Sequence, residues 1–130
     1  MWLLSRNVRF FRKQVSINGR KLSALVADSP KKQAVGLMFR EKLEQNECML
    51  FIFGRPNRYS IWIRNMRFPI DILWVDEKKR IVDIKEAAPP AKRFEFATYK
   101  PRVDAKYVLE LKSGFVKKNK ITKAAKIRFN

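Results

Sequence analysis

The stretch "IWIRNMRFPIDILWVDEKKRIVDIKE" fills residues 61–86 and holds three apolar runs, separated first by a proline and then by a charged turn. Ile61 and Ile63 alternate with Trp62 and Arg64; Ile70, Ile72 and Trp74 alternate with Asp71, Leu73 and Val75. A period of two with little polar relief on either face describes strands that lie deep. Pro69 has no N–H for a ladder bond and biases Phe68 toward extended geometry. Residues 65–70 are therefore expected to connect two antiparallel neighbours and to bring Asn65 near Asp71. "DEKKR" at 76–80 is a turn by composition, and Ile81 to Glu86 alternates apolar with charged residues as a strand with one wet side.

Toward the N-terminus, Val15 and Ile17 precede Asn18-Gly19, and Leu22, Ala24 and Val26 alternate after it. Asn-Gly accepts the positive φ angles of a type I′ turn, so the chain is expected to start with a hairpin. Ser29-Pro30 reads as an N-cap and first helical residue, opening a short helix over about 30–39. "CMLFIF" at 48–53 is a continuous apolar run of strand length and is expected to be central. "AAPPAKR" at 87–93 is a loop. Tyr107, Leu109 and Leu111 share a strand face, Ser113 is placed to cap a short helix, and "AKIRFN" at 125–130 forms a closing strand. Six to eight strands and two short helices give a mainly β fold, a single-domain antiparallel β-sandwich or barrel-like fold. Residues 1–130 form one domain, with 1–14 a basic N-terminal extension or an edge strand.

A chain of 130 residues with 46% hydrophobic content buries enough apolar surface for a real core. Cys48 stands alone, which excludes an internal disulfide and a CxxC pair. Histidine is absent, which removes imidazole metal ligands and every Ser/His or Cys/His nucleophilic system. No metal and no cofactor is expected. The apolar run after Met1 is too short for a signal peptide or a membrane span, so a soluble, cytoplasmic protein without a transmembrane segment is expected. The net charge of +18 is concentrated at the ends: residues 1–27 carry +6 and 87–130 carry +9, while the middle is nearly neutral. Such ends attract nucleic acid or an anionic surface, although a solvated lysine surface gives the same count.

The phrases "GLMFREKL" (36–43), "MLFIF" (49–53), "WIRNMRFPIDILWVD" (62–76) and "YVLELKSG" (107–114) resemble, in order, those of domain-of-unknown-function family 192, which is spread through bacteria and archaea. The resemblance implies a single β-rich domain and no established enzyme activity. The chain departs from the family pattern at Cys48, where glycine is usual, and at Ala124-Ala125, where Gly-Asp is usual. Its Ile63-Arg64-Asn65 stands for Met-Lys-Asn.

Three functional expectations follow. The first is a non-catalytic binding module in which Arg40, Trp62, Arg64, Asn65 and Asp71 form a rim site for an anionic or polar small molecule. Against it, Asn65 and Asp71 read equally as a turn staple, Trp62 and Trp74 as core, and Cys48 as a small core residue. The second is a non-specific RNA or DNA binder using Lys112, Lys117, Lys118, Lys120, Lys123 and Lys126. The third, least favoured, is a carboxylate-dependent enzyme built on Asp71 and Glu86. The oligomeric state is left open.

Overall fold

Asn18 and Gly19 take φ angles of 47° and 78°. They join strand β1 (Phe11–Ile17) to β2 (Arg20–Ala27) with Ile17 opposite Arg20, so the expected hairpin is present. The computed structural model describes residues 8–63, 65–91 and 97–130. Ser29 then caps α1 (Pro30–Val35): its side chain accepts a bond from the Lys32 N–H at 3.3 Å, while Pro30 sits where a missing N–H does no harm. The helix is shorter than the expected 30–39. It stops at Gly36, whose N–H still bonds back to the Lys32 carbonyl while its φ of 48° turns the chain out of the helix, and turns carry it on to Phe39.

The connection through α1 returns the chain parallel to where it left. β3 (Glu47–Asn57) lies beside β2 in parallel register, with Ala24 opposite Cys48. Beyond it come β4 (Ile61–Ile63), β5 (Ile70–Val75), β6 (Ile81–Ala88), β7 (Ala97–Tyr99), β8 (Ala105–Lys112), α2 (Phe115–Lys118) and β9 (Ile127–Arg128). The main sheet runs β6-β5-β8-β3-β2-β1-β9, and its other pairings are antiparallel. β3 is its middle strand, as the apolar run at 48–53 predicts. The fold is mainly β, one domain with two short helices among the described residues.

Two expectations give way. β4 and β5 are not neighbours: β4 pairs with β7 in a separate two-stranded sheet, and β5 lies between β6 and β8. Residues 65–70 thus carry the chain from one sheet to another. Ser113 makes no cap either; Gly114 takes that position with φ 93° and no side-chain bond.

The seven-stranded sheet curls until its edges meet. β9 pairs with β1, and the residues before it bond to the opposite edge: the Ala124 N–H donates to the Ile81 carbonyl at 2.9 Å, and the Ile81 N–H to the Ala125 carbonyl at 2.8 Å. A bridge between Arg80 and Lys126 completes the seam.

Alternation puts a core on each face. Leu50, Leu73, Leu109 and Leu111 lie on the inner face with Phe115, Val116 and Ile127. Met49, Phe51, Ile72, Trp74 and Val108 lie on the outer face, packed against Leu37, Ile61 and Ile63. The outer face is therefore covered by the α1 segment and by β4. Among the described residues no helix is long and apolar enough to cross a membrane.

Candidate functional site

Cover and sheet do not meet completely. Between α1 with its following turn, β3 and β4, a cavity of about 530 Å³ remains, lined by Met38, Phe51, Phe53, Trp62, Met66 and Glu110. Each wall has a local cause. Phe51 and Phe53 project from alternate positions of β3 with near-parallel rings 6.3 Å apart, and Phe53 stacks on Tyr59. Trp62 is the outward residue of β4 between buried Ile61 and Ile63, and it is 57% exposed at the cavity mouth. The expectation that Trp62 is core is thereby corrected, whereas Trp74 is buried with its Nε1 donating to the Tyr59 carbonyl at 3.1 Å.

Glu110 is the unexpected member. It stands in β8 between Met49 of β3 and Ile72 of β5, on the outer face, and is only 2% exposed. No hydrogen bond or ion pair from the described residues reaches its carboxyl group. Among the described residues no fully occluded side-chain oxygen or nitrogen lacks a partner, so the little exposure Glu110 keeps lies at its carboxyl end, which opens into the cavity. Burial without a compensating donor pushes its pKa up to about 8, and it holds its proton at neutral pH. The other polar side chains on the wall are Gln33 and Ser60. Gln33 is engaged elsewhere, donating to the carbonyls of Ala27 and Ile52 at 3.2 and 3.0 Å and so tying α1 to the sheet.

Of the expected rim residues, Asp71 lies on the inner face, whereas Asn65 lies against the turn that precedes Arg40, its carbonyl accepting from the Phe39 N–H at 2.9 Å. Asp71 is fully buried, and its two oxygens accept from the Ala87 N–H at 2.8 Å and the Val116 N–H at 2.9 Å. It fastens β5 to the end of β6 and to the first turn of α2. Asn65 is exposed at φ 52°, and its amide points to the Met38 sulfur at 3.8 Å. Arg40 lies 3.9 Å from Glu47, which also holds Arg12 at 2.7 Å. Arg64 lies outside the described residues. Glu86 is exposed, so it is not paired with buried Asp71. Cys48 is buried in the inner core, where burial first and the Glu47 charge second push its thiol up to about 12.

Lys112, Lys117, Lys118, Lys120, Lys123 and Lys126 are all exposed. Lys112 and Lys118 share a shallow cleft with Arg20 beside the α2 start, while Lys123 leans 3.8 Å from Asp83. Asp83 is itself buried. Burial opposes its ionisation, yet bonds from the Arg102 guanidinium and from the Arg102 and Ile84 N–H groups outweigh it and hold the pKa at about 2. Among the described residues no group of three or more His, Cys, Asp or Glu side chains is placed to hold a metal ion.

The family model for DUF192, described as Uncharacterized ACR, matches residues 13–129, from β1 through β9. The chain belongs to the DUF192 family. A UPF0127 protein of the archaeon Thermococcus gammatolerans is 31% identical over 94 residues, or 71% of this chain and 56% of that protein. This DUF192 chain thus spans little more than half the length of that curated relative. Among solved structures, a Sinorhizobium meliloti protein provisionally described as a transcription regulator superposes with a TM-score of 0.86 at 28% identity, covering 95% of this chain and 97% of that one. A Novosphingobium aromaticivorans protein of unknown function gives 0.80 at 26% identity, covering 92% and 84%. All of the DUF192 cavity wall described above falls inside the matched region.

Proposed function

We propose that this DUF192 protein is a non-catalytic binding module that takes a small molecule with one polar group and an apolar body. The observation that carries the reading is the unpartnered Glu110 carboxyl at the wall of an otherwise largely apolar cavity. Ligand sites have this character: apolar walls supply most of the burial, and a few placed polar groups fix orientation. In this reading the site is the cavity and not Arg40, Asn65 and Asp71, and of the expected residues Trp62 lines it. Native mass spectrometry of protein from its own cells tests the reading. A retained small molecule is expected, and it should be lost in Ala34→Trp, which plugs the mouth from an exposed helical position. Retention unchanged by the plug overturns the assignment.

A second reading, binding of nucleic acid, is favoured by the cleft where Arg20, Lys112 and Lys118 meet, and by the regulator description given to the Sinorhizobium protein. Phosphate contacts of this kind are read in the salt dependence of affinity. Replacing Lys112, Lys117, Lys118 and Lys120 together should lower the magnitude of the salt slope on duplex DNA by roughly 3–4 units. An unchanged slope assigns those lysines to solvated surface.

A further inference from the structure

Glu110 differs from the other acids that the fold takes inside. Asp71 has two N–H donors, Asp83 has Arg102 and Lys123, and Glu47 has Arg12 and Arg40. The sequence holds 30 lysines and arginines, yet none of them lines the Glu110 cavity among the described residues. Among the described residues Glu110 is also the sole ionisable side chain on that wall; its strand neighbours are Met49 and Ile72, and the α1 and β4 segments present Gln33, Ser60 and apolar groups. What the cavity offers beside the carboxyl is a set of soft, polarisable surfaces: the rings of Phe51, Phe53 and Trp62 and the thioethers of Met38 and Met66. Aromatic faces attract a cation through their quadrupole, and more so where water is thin.

Resting on the binding-module reading, we propose that the cavity takes an organic cation, an alkyl- or arylammonium whose charge meets Glu110 and whose apolar body lies against Phe51, Phe53 and the two methionines. The ligand brings the partner that the chain supplies to Asp71 as N–H donors and to Asp83 as cations, and withholds here. Among the described residues the wall offers an anion no cation, and the anionic control below tests the sign of the charge. A volume of about 530 Å³ exceeds what a bare ammonium needs and leaves room for the hydrocarbon. Because Glu110 is protonated in the free protein at neutral pH, seating a cation expels that proton to solvent: one O–H bond of the carboxyl breaks, and the carboxylate pairs with the ammonium.

Titration calorimetry tests this with benzylammonium, 2-phenylethylammonium and tetramethylammonium as probes, and 2-phenylethanol and phenylacetate as neutral and anionic controls. At least one ammonium probe is expected to bind, with about one proton released per site, measured from the buffer dependence of the heat. Its affinity should rise up to about tenfold per pH unit toward pH 8 and then level off. Glu110→Gln should lose at least tenfold in affinity together with the pH dependence, while circular dichroism verifies its fold. Ala34→Trp should block binding with Glu110 intact. Binding of 2-phenylethanol as tight as that of the ammonium, or full affinity in Glu110→Gln, overturns the cation while leaving the cavity as a ligand site. Failure of every ammonium probe also overturns it, and the retained-ligand measurement then decides the cavity separately.

Discussion

Asp71 and Glu110 sit one register step apart on adjacent strands and face opposite sides of the same sheet: Asp71 lies opposite Leu111, and Ile72 opposite Glu110. Both are buried, and their surroundings treat them oppositely. Asp71 receives two backbone donors, each near the end of an element, and so joins three parts of the inner core. Glu110 receives none and looks into open space. A buried carboxylate that is fully hydrogen-bonded acts as a fastening, whereas one left without donors is a liability that the fold keeps only where something else meets it. Burial alone does not separate the two roles; the count of donors does.

The comparison breaks most visibly under pH. Glu110's pKa is raised on folding, so its part of the stability is whole below the ordinary glutamate value of 4.5 and is lost as pH rises through about 8. Each pH unit in that window is worth about 1.4 kcal/mol, so Glu110→Gln should exceed wild type by several kcal/mol at pH 9 and lack the slope. Urea titrations at pH 5, 7 and 9 measure this, and parallel curves for the two proteins would remove the contrast.

Asp71→Asn should act in the opposite sense. The amide keeps the shape and turns a donor toward a backbone N–H, leaving a buried group unsatisfied, and the expected loss is about 1–3 kcal/mol. A variant as stable as wild type in a denaturant titration would show that the two N–H bonds fasten nothing.

Asp83 gives an intermediate case. Its pKa is lowered to about 2, so its contribution is present above the ordinary aspartate range and is lost as pH falls from about 4 through 2. Arg102 is mostly exposed, which screens the pair, and Asp83→Asn is expected to cost about 1 kcal/mol at pH 7 and less than half of that at pH 2. Thermal melts at the two pH values check this.

The effect at Asn65 is no larger and comes from its backbone. Its backbone is in the left-handed region at φ 52°, where Asn is tolerated and Ala is disfavoured. Asn65→Ala should lower stability by about 1 kcal/mol, while Asn65→Gly stays within about 0.5 kcal/mol. Equal losses in the two would return weight to the amide group itself.

The hairpin, the central strand and the mainly β character were legible because they rest on local signals, a dipeptide and a run of apolar residues. The partner of β4 was not: β7 lies more than thirty residues on, and no local pattern favours it over β5. The parallel β2–β3 pair was also hidden, since α1 is too short to announce a crossover by periodicity. For the site, Asp71 stood out as a polar residue in a deep strand, but its donors come from residues 87 and 116. Glu110 was missed because Val108, Glu110 and Lys112 read as the wet side of a strand whose other side is Leu109 and Leu111. The placement of β8 between β3 and β5, beneath the α1 cover, is what makes an acid there anomalous.

The seam at residues 124–128 has a consequence for how copies of the chain treat one another. A strand with free N–H and C=O groups along its side is a template for the next molecule, and β1 and the start of β6 would each offer such a side. Residues 124–128 occupy the Ser16–Ile17 end of β1 and the Ile81 end of β6, and so join the two borders at one corner. Peel that short segment away, and the ends of β1 and β6 lose their partners and stand open to pairing with another chain.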